Sequence, residues 1–198
     1  MGFKNNVIYQ IGTLFGLGAL PGGGTWASLV VLLPATLLRF ELQLNFLMFF
    51  LFITLFFAPT IYKNSRPFFK SKDPKEFVLD EILGMCLALL LIYIFLYLAE
   101  PISADALFYS SSLDSFGVFA NIFFVATFIL FRILDISKIG PVGWVEDPTT
   151  APSWWQKLDT NDNPYMRVIG DDIFAGLLSS SIIIAITLII TAFFGTTL

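Results

Sequence analysis

The segment DEILGMCLALLLIYIFLYLA, residues 80–99, places two carboxylates directly before an almost unbroken apolar run. The run from Ile82 to Ala99 is close to the ~20 residues that an α-helix needs to cross a bilayer, so we predict a membrane span here. Moving an ionised side chain to the bilayer centre costs roughly 2.5–3.5 kcal/mol on insertion scales. Asp80 and Glu81 are therefore expected at the membrane boundary, where this span opens.

Four further apolar stretches accompany this one: Trp26–Leu38, Asn45–Tyr62, Phe116–Ile133 and Ile173–Phe194. The first is short and contains Pro34, so we expect it to be kinked or partly re-entrant. The composition agrees, because only 13% of residues are charged, against about 25% in soluble domains. The predicted fold class is an all-α, polytopic membrane bundle of about five segments, forming a single domain over residues 1–198.

The distribution of Lys and Arg orients these five spans. A cytoplasmic N-terminus leaves three segments inside, namely the N-terminus, residues 63–81 and residues 132–172. Ten of the 11 basic residues lie there: Lys4, Lys63, Arg66, Lys70, Lys72, Lys75, Arg132, Lys138, Lys157 and Arg167. Only Arg39 falls outside, and the predicted external loop of residues 100–115 has no Lys or Arg. The positive-inside rule therefore predicts a cytoplasmic N-terminus.

Composition also excludes several functions. The chain has no histidine, which excludes histidine-based phosphatases, Ser-His hydrolases and histidine-ligated zinc. A net charge of −4 without a basic tract argues against a nucleic-acid partner. The single cysteine, Cys86, cannot pair within the chain and is expected to be a small packing residue.

A glycine-rich segment, Gly16 to Ser28, is the first of four polar clusters that this topology brings to the cytoplasmic boundary. We predict that Thr25 is the N-cap of the first span. Backbone amides at a helix start form an anion site suited to phosphate. A flexible turn that lets two helices pack closely is the simpler explanation of this segment taken alone.

Two of the other clusters are carboxylate pairs, Asp80–Glu81 and Asp171–Asp172, which we expect to open the third and fifth spans. Acidic residues in a first helical turn complement the helix dipole, which explains one such pair. Two pairs on the same face suggest a shared cation. The second pair is followed, one turn later, by the small residues Ala175 and Gly176.

The remaining cluster, Arg132, Asp135 and Lys138, closes the fourth span at intervals of three residues. The three share one helical face if the helix continues that far. Basic residues at a helix C-terminus are ordinary dipole partners, but a carboxylate there is unfavourable unless it is paired.

Together these clusters hold five carboxylates and two cationic side chains. A divalent cation would relieve their repulsion, and all-oxygen ligation favours magnesium or manganese, with Asp80, Glu81, Asp171 and Asp172 as candidate ligands. Arg132 and Lys138 could then hold phosphate oxygens. The chemistry indicated is metal-assisted phosphate-ester hydrolysis, with Asp80, Asp135 and Asp172 as candidate catalytic residues; Asp135 is assigned to positioning or deprotonating water.

In this order, the clusters resemble those of the phosphatidylglycerophosphatase A family of bacterial inner-membrane lipid phosphatases. The resemblance covers roughly residues 12–180. It implies Mg²⁺-dependent removal of the terminal phosphate from phosphatidylglycerophosphate, in phospholipid biosynthesis, with the active site facing the cytoplasm. Gly24, Thr25 and Ser28 remain recognisable in the family's first motif and are predicted, with Arg132 and Lys138, to bind the substrate.

The chain also departs from the family pattern. Gly23 stands where a proline is expected and Ala27 replaces a glycine, while Ile139 and Gly143 break the pattern after Lys138. The stretch up to Asp171 is about a dozen residues longer than usual, so we predict a cytoplasmic insert over residues 134–170. Residues 165–170, YMRVIG, replace the family's glycine-rich approach to the paired aspartates.

Two other functions were weighed. A non-catalytic membrane subunit or scaffold would use the charged inner face to dock a partner. A small cation transporter would need carboxylates deep within its spans, whereas these lie at the span ends. The bilayer and a phospholipid substrate are the predicted partners, and oligomeric state is left open.

Overall fold

The computed structural model describes residues 3–69, 74–99, 115–146, 149, 151–158 and 165–194. These residues form eight α-helices and two 3₁₀ turns, Leu17–Ala19 and Arg66–Phe68, with no strand among them. The helices are α1 (Phe3–Gly12), α2 (Gly23–Leu37), α3 (Phe40–Ser65), α4 (Leu79–Ala99), α5 (Ser115–Ser137), α6 (Pro141–Glu146), α7 (Ser153–Leu158) and α8 (Tyr165–Phe194). Lys70, Lys72 and most of the predicted external loop lie outside the described residues.

Four helical segments are long and apolar enough to cross a membrane: Phe40–Phe68, Leu79–Ala99, Ala120–Ser137 and Val168–Phe193. The first of the five expected spans is the shorter helix α2, which contains Pro34 in its last turn. The predicted class, an all-α polytopic membrane bundle with a short first segment, is confirmed.

Helix α4 is the centre of the bundle and packs against α2, α3, α5 and α8. Most of its side chains are buried, whereas the other long spans turn most of theirs outward. Exposed apolar side chains such as Phe52, Leu98 and Ile133 belong on a surface whose solvent is lipid. The helix whose first turn carries Asp80 and Glu81 is therefore packed against four other helices.

Two glycines allow α4 and α8 to cross closely. A Cβ added to Gly84 would lie 2.6 Å from the carbonyl oxygen of Asp172, and one on Gly176 would lie 2.5 Å from the carbonyl oxygen of Gly84. Each glycine follows an aspartate, Asp80 or Asp172, by one helical turn. The crossing therefore brings those two aspartates to the same place.

The polar ends of the spans are more helical than their hydropathy predicted. The expectation that Asp171 and Asp172 open the fifth span is wrong, because α8 begins at Tyr165 and places the pair in its second turn. Helix α5 continues to Ser137, so Asp135 lies inside it. Asp80 and Glu81 do lie in the first turn of α4, as predicted.

The predicted N-cap of the first span is also wrong. Helix α2 begins at Gly23, and its N-cap is Gly22 in the left-handed region, with φ of 72°. A residue without a Cβ adopts this conformation freely, so the helix starts earlier and Thr25 lies in its first turn.

The predicted insert, residues 134–170, overlaps the end of α5 and the start of α8 and carries the short helices α6 and α7 between them. Trp155 of α7 is buried against Gly170 and contacts the Phe174 ring at 5.8 Å between centroids. Trp144 and Trp154 are half exposed. The division of the chain into one domain with an insert stays a prediction.

Candidate active site

Three carboxylates from α4 and α8 converge at one end of the bundle. Asp80, Glu81 and Asp172 each offer an oxygen atom, and these atoms all lie within 4.8 Å of one another. Asp80 and Asp172 are buried, and Glu81 is partly buried. Like charges held so closely away from water repel one another unless a cation or a proton is shared among them.

The donor set of this cluster fits a hard divalent cation. Among the described residues, no hydrogen-bond partner meets the buried atoms Glu81 Oε2 or Asp172 Oδ1. A buried carboxylate oxygen without a partner is costly, and coordination to a metal satisfies it. Three carboxylates supply oxygen ligands only, which Mg²⁺ and Mn²⁺ prefer. The residues present therefore fit such an ion.

A row of ion pairs on the last turn of α5 lies beside the cluster. Asp135 Oδ2 is 2.8 Å from a guanidinium nitrogen of Arg132, and its other oxygen is 3.4 Å from Lys138 Nζ. Lys138 also pairs with Asp171 of α8. The three residues do share a face, and the carboxylate that opposes the helix dipole is paired on both oxygens.

Lys138 has an unusual backbone conformation. It follows the last residue of α5 with φ of 52°, in the left-handed region that glycine usually occupies at helix ends. Its N–H donates to the carbonyl of Leu134 at 2.9 Å, which closes the helix.

The pKa of Lys138 lies above its ordinary value. Partial burial by itself lowers it, but the charge and hydrogen bond of Asp171, together with the charge of Asp135, outweigh the burial. The ammonium therefore stays protonated at neutral pH.

Arg132 lies between the ion-pair row and the start of α2. A Cβ on Gly24 would fall against the side chain of Glu81 and 3.0 Å from the Arg132 guanidinium nitrogens. Among the described residues, no acceptor meets the buried Arg132 Nε. A methyl group at position 24 would displace the ends of these two side chains, whereas glycine lets both of them meet the helix start.

Close contacts with backbone carbonyl groups hold the glycine-rich segment in place. Gly18 packs against the carbonyl of Glu76, and Gly23 packs against the carbonyl of Gly18. The Ser28 hydroxyl is buried and donates to the Gly24 carbonyl at 2.9 Å, so in this structure it serves its own helix. Thr25 is partly exposed in the first turn of α2.

The structure thus gathers most of the residues that the sequence singled out, but it separates the two aspartates of α8. Asp172 joins Asp80 and Glu81, whereas Asp171 pairs with Lys138. Successive residues on a helix point about 100° apart, which accounts for the division. Asp171 as a metal ligand, and the catalytic and substrate-binding roles assigned to the other residues, stay predictions.

Sequence reasoning missed Tyr165, which entered only as part of a departure from a family pattern. Its side chain is buried, and no described residue accepts or donates a hydrogen bond at its hydroxyl. Burial, and then the charges of Asp80 and Asp172, raise the pKa of Tyr165. Polar residues are common at the start of a helix, so Tyr165 does not stand out in the sequence.

Comparison with known proteins gives one family. A family model described as phosphatidylglycerophosphatase A matches residues 10–187. No curated protein and no solved structure matches the chain.

Proposed function

The chain belongs to the phosphatidylglycerophosphatase A family, and from this premise we propose that it is a Mg²⁺-dependent phosphatase of the bacterial inner membrane. It hydrolyses the terminal phosphate of phosphatidylglycerophosphate at the cytoplasmic face and gives phosphatidylglycerol. Family membership supports phosphatase activity on this phospholipid. The observation that carries the metal dependence is the convergence of Asp80, Glu81 and Asp172 within 4.8 Å.

The three converging carboxylates would hold the cation. Asp80 and Glu81 come from the first turn of α4 and Asp172 from α8, so the ion would join the two helices beside their closest crossing. When bound, Mg²⁺ polarises the phosphoryl group and lowers the pKa of a coordinated water. The unpartnered oxygens of Glu81 and Asp172 are available for it without breaking any hydrogen bond.

Arg132 and Lys138 would receive the phosphate. Arg132 keeps a buried N–H without an acceptor among the described residues, and a guanidinium binds phosphate oxygens in a planar, two-pronged arrangement. Lys138 adds a point charge on the same helical face. The first amides of α2, at Gly23 and Gly24, precede the intrahelical ladder and suit an anion at the same place.

Asp135 is best suited to positioning. Its two oxygens are already engaged by Arg132 and Lys138. We therefore assign it the orientation of the two phosphate-binding side chains. Asp171 would support Lys138 from the opposite helix.

The test measures phosphate release from phosphatidylglycerophosphate by the purified protein in phospholipid nanodiscs. We expect release with Mg²⁺ and none with EDTA. Asp80→Asn and Asp172→Asn should each lower the rate about 100-fold or more, since several kcal/mol of charge stabilisation depend on the ion. Glu41→Gln is the matched control, because Glu41 pairs with Arg39 on the surface of α3.

Two results would overturn the proposal. One is hydrolysis that neither EDTA nor the aspartate substitutions change. The other is a protein that binds Mg²⁺ yet releases no phosphate, with the same substitutions abolishing a co-purifying protein; that outcome would favour the docking scaffold.

A further inference from the structure

Tyr165 is a buried tyrosine at the entrance of the helix that carries Asp172. It is the first residue of α8, and its side chain is 3% exposed. Its ring lies 5.7 Å from the Tyr62 ring and 6.4 Å from the Phe77 ring, measured between centroids. The rings of Tyr62, on α3, and of Phe77, two residues before α4, therefore fix its position.

The hydroxyl of this tyrosine has no hydrogen-bond partner among the described residues. Leaving a buried polar group without a partner is unfavourable. A phenylalanine would fill the same apolar cage without that cost. An unsatisfied hydroxyl at such a place marks either strain or a partner that arrives later.

The nearby carboxylates would need such a donor once a cation is bound. Carboxylates that ligate a metal are in turn oriented by hydrogen bonds to their remaining lone pairs. Within the described part of the chain, Asp80 accepts a hydrogen bond from the Glu81 amide at 3.1 Å, and one oxygen of Asp172 has no partner. The cluster thus has carboxylate oxygens that can accept a further hydrogen bond, and the Tyr165 hydroxyl can donate one.

We propose that Tyr165 is a positioning residue of the metal centre, whose hydroxyl donates a hydrogen bond to a carboxylate of the Asp80–Asp172 pair when these residues hold the cation. The inference rests on the metal-dependent function proposed above.

The electrostatics agree with a donor role. Burial and the charges of Asp80 and Asp172 together raise the pKa of Tyr165, so its hydroxyl keeps its proton. The sensitivity to both aspartates also shows that the hydroxyl lies within reach of their field. Phe77, which packs on the same ring, leads directly through Val78 into the first turn of α4.

The experiment measures Mn²⁺ binding by electron paramagnetic resonance in the full chain, with Mn²⁺ standing in for Mg²⁺. Tyr165→Phe removes only the hydroxyl and is expected to raise the dissociation constant by about 10-fold or more, as for other outer partners of metal ligands. The matched control is Tyr93→Phe, another buried tyrosine on α4, about 20 Å from Asp80 along the helix. Its binding should equal that of the unchanged protein.

A second measurement does not depend on the phenylalanine variant folding. Replacing Tyr165 by 3-fluorotyrosine keeps the hydroxyl, and its fluorine resonance should shift on adding Mg²⁺, while the same label at position 93 should not respond. Equal Mn²⁺ affinity for Tyr165→Phe and the unchanged protein, or a silent fluorine signal at 165, would overturn the inference.

These results are distinguishable from a failure of the proposed function. Phosphate release that needs Mg²⁺, with Mn²⁺ affinity unaltered in Tyr165→Phe, removes the role of Tyr165 alone. Weakened Mn²⁺ binding in Tyr165→Phe, without any phosphate release by the unchanged protein, removes the phosphatase and leaves the positioning role.

Discussion

Lys138 occupies a backbone conformation that residues with a Cβ avoid. The left-handed region costs such residues roughly 1–2 kcal/mol, and glycine commonly takes this place at a helix end. The cost is offset by what the side chain reaches, since its ammonium pairs with Asp135 on its own helix and Asp171 on α8. The position therefore combines local strain with charge recognition, a combination frequent at functional sites.

Two substitutions of Lys138 separate the strain from the charge. Both Lys138→Gly and Lys138→Met remove the cation, so we expect both to lower phosphate release about 10-fold or more. Only glycine relieves the backbone, so the glycine variant should be more stable than the methionine variant by about 1 kcal/mol. Thermal unfolding in EDTA measures the difference in stability. Equal stability would show that position 138 is not strained, and full activity in both variants would remove its role toward phosphate.

At the scale of helices, the crossing of α4 and α8 sets the distance between the two buried aspartates. Gly84 and Gly176 lie one turn beyond Asp80 and Asp172 and touch the opposing backbone. A methyl group there has no flexible neighbour to displace, because the contacts are with carbonyl groups. The helices themselves must then move apart.

We therefore expect Gly84→Ala and Gly176→Ala to impair the metal centre without replacing a ligand. Contacts this short force the helices apart by up to about 1 Å, and a misplacement of that size should weaken Mn²⁺ binding and lower phosphate release by about 100-fold. Cys86→Ala is the control, a small change at a buried position of α4 that points about 200° away from Gly84. The crossing would lose its assigned role if an alanine variant bound Mn²⁺ as tightly as Cys86→Ala.

Hydropathy predicted the spans but not their polar ends. The apolar runs identified α3, α4, α5 and α8, because lipid-facing and core positions are equally apolar. The residues from Tyr165 to Asp172 form the start of α8 although they include charged residues and a glycine, since their neighbours supply burial and charge partners. Hydropathy did not predict helices α1, α6 and α7, because short segments become helical only where tertiary contacts support them.

The site was predictable in kind and less so in detail. Charge alone singled out candidate site residues, namely the acidic pair at the start of α4 and the set of Arg132, Asp135 and Lys138. Their chemistry stays a prediction. The separation of Asp171 from Asp172 depends on the rotation of α8 about its axis, which the sequence does not specify. The burial of the Tyr165 hydroxyl depends on tertiary packing, because its ring contacts the rings of Tyr62 and Phe77 from other parts of the chain.

For the whole molecule, the topology is open to a direct test because the single cysteine, Cys86, is buried. In a Cys86→Ala background, Arg39→Cys and Lys157→Cys place a thiol on exposed positions at opposite ends of the predicted bundle. A membrane-impermeant maleimide added outside intact inner-membrane vesicles of native orientation should label position 39. Position 157 should react only after permeabilisation. The reverse pattern would place the candidate site on the outer side.

The short helix α2 sets how deep in the membrane the candidate site is expected to lie. It has 15 residues against 26 in α3, and the two are joined at the end away from the site, so α2 begins up to about 16 Å below the level where α3 ends. Gly24 lies at the start of α2, beside Glu81 and Arg132, so we expect all three at the depth of the lipid headgroups. A substrate molecule then need not leave its leaflet, and encounters occur by lateral diffusion in two dimensions. The rate should follow the mole fraction of substrate among the lipids, so that inert phospholipid added at constant bulk substrate slows the reaction.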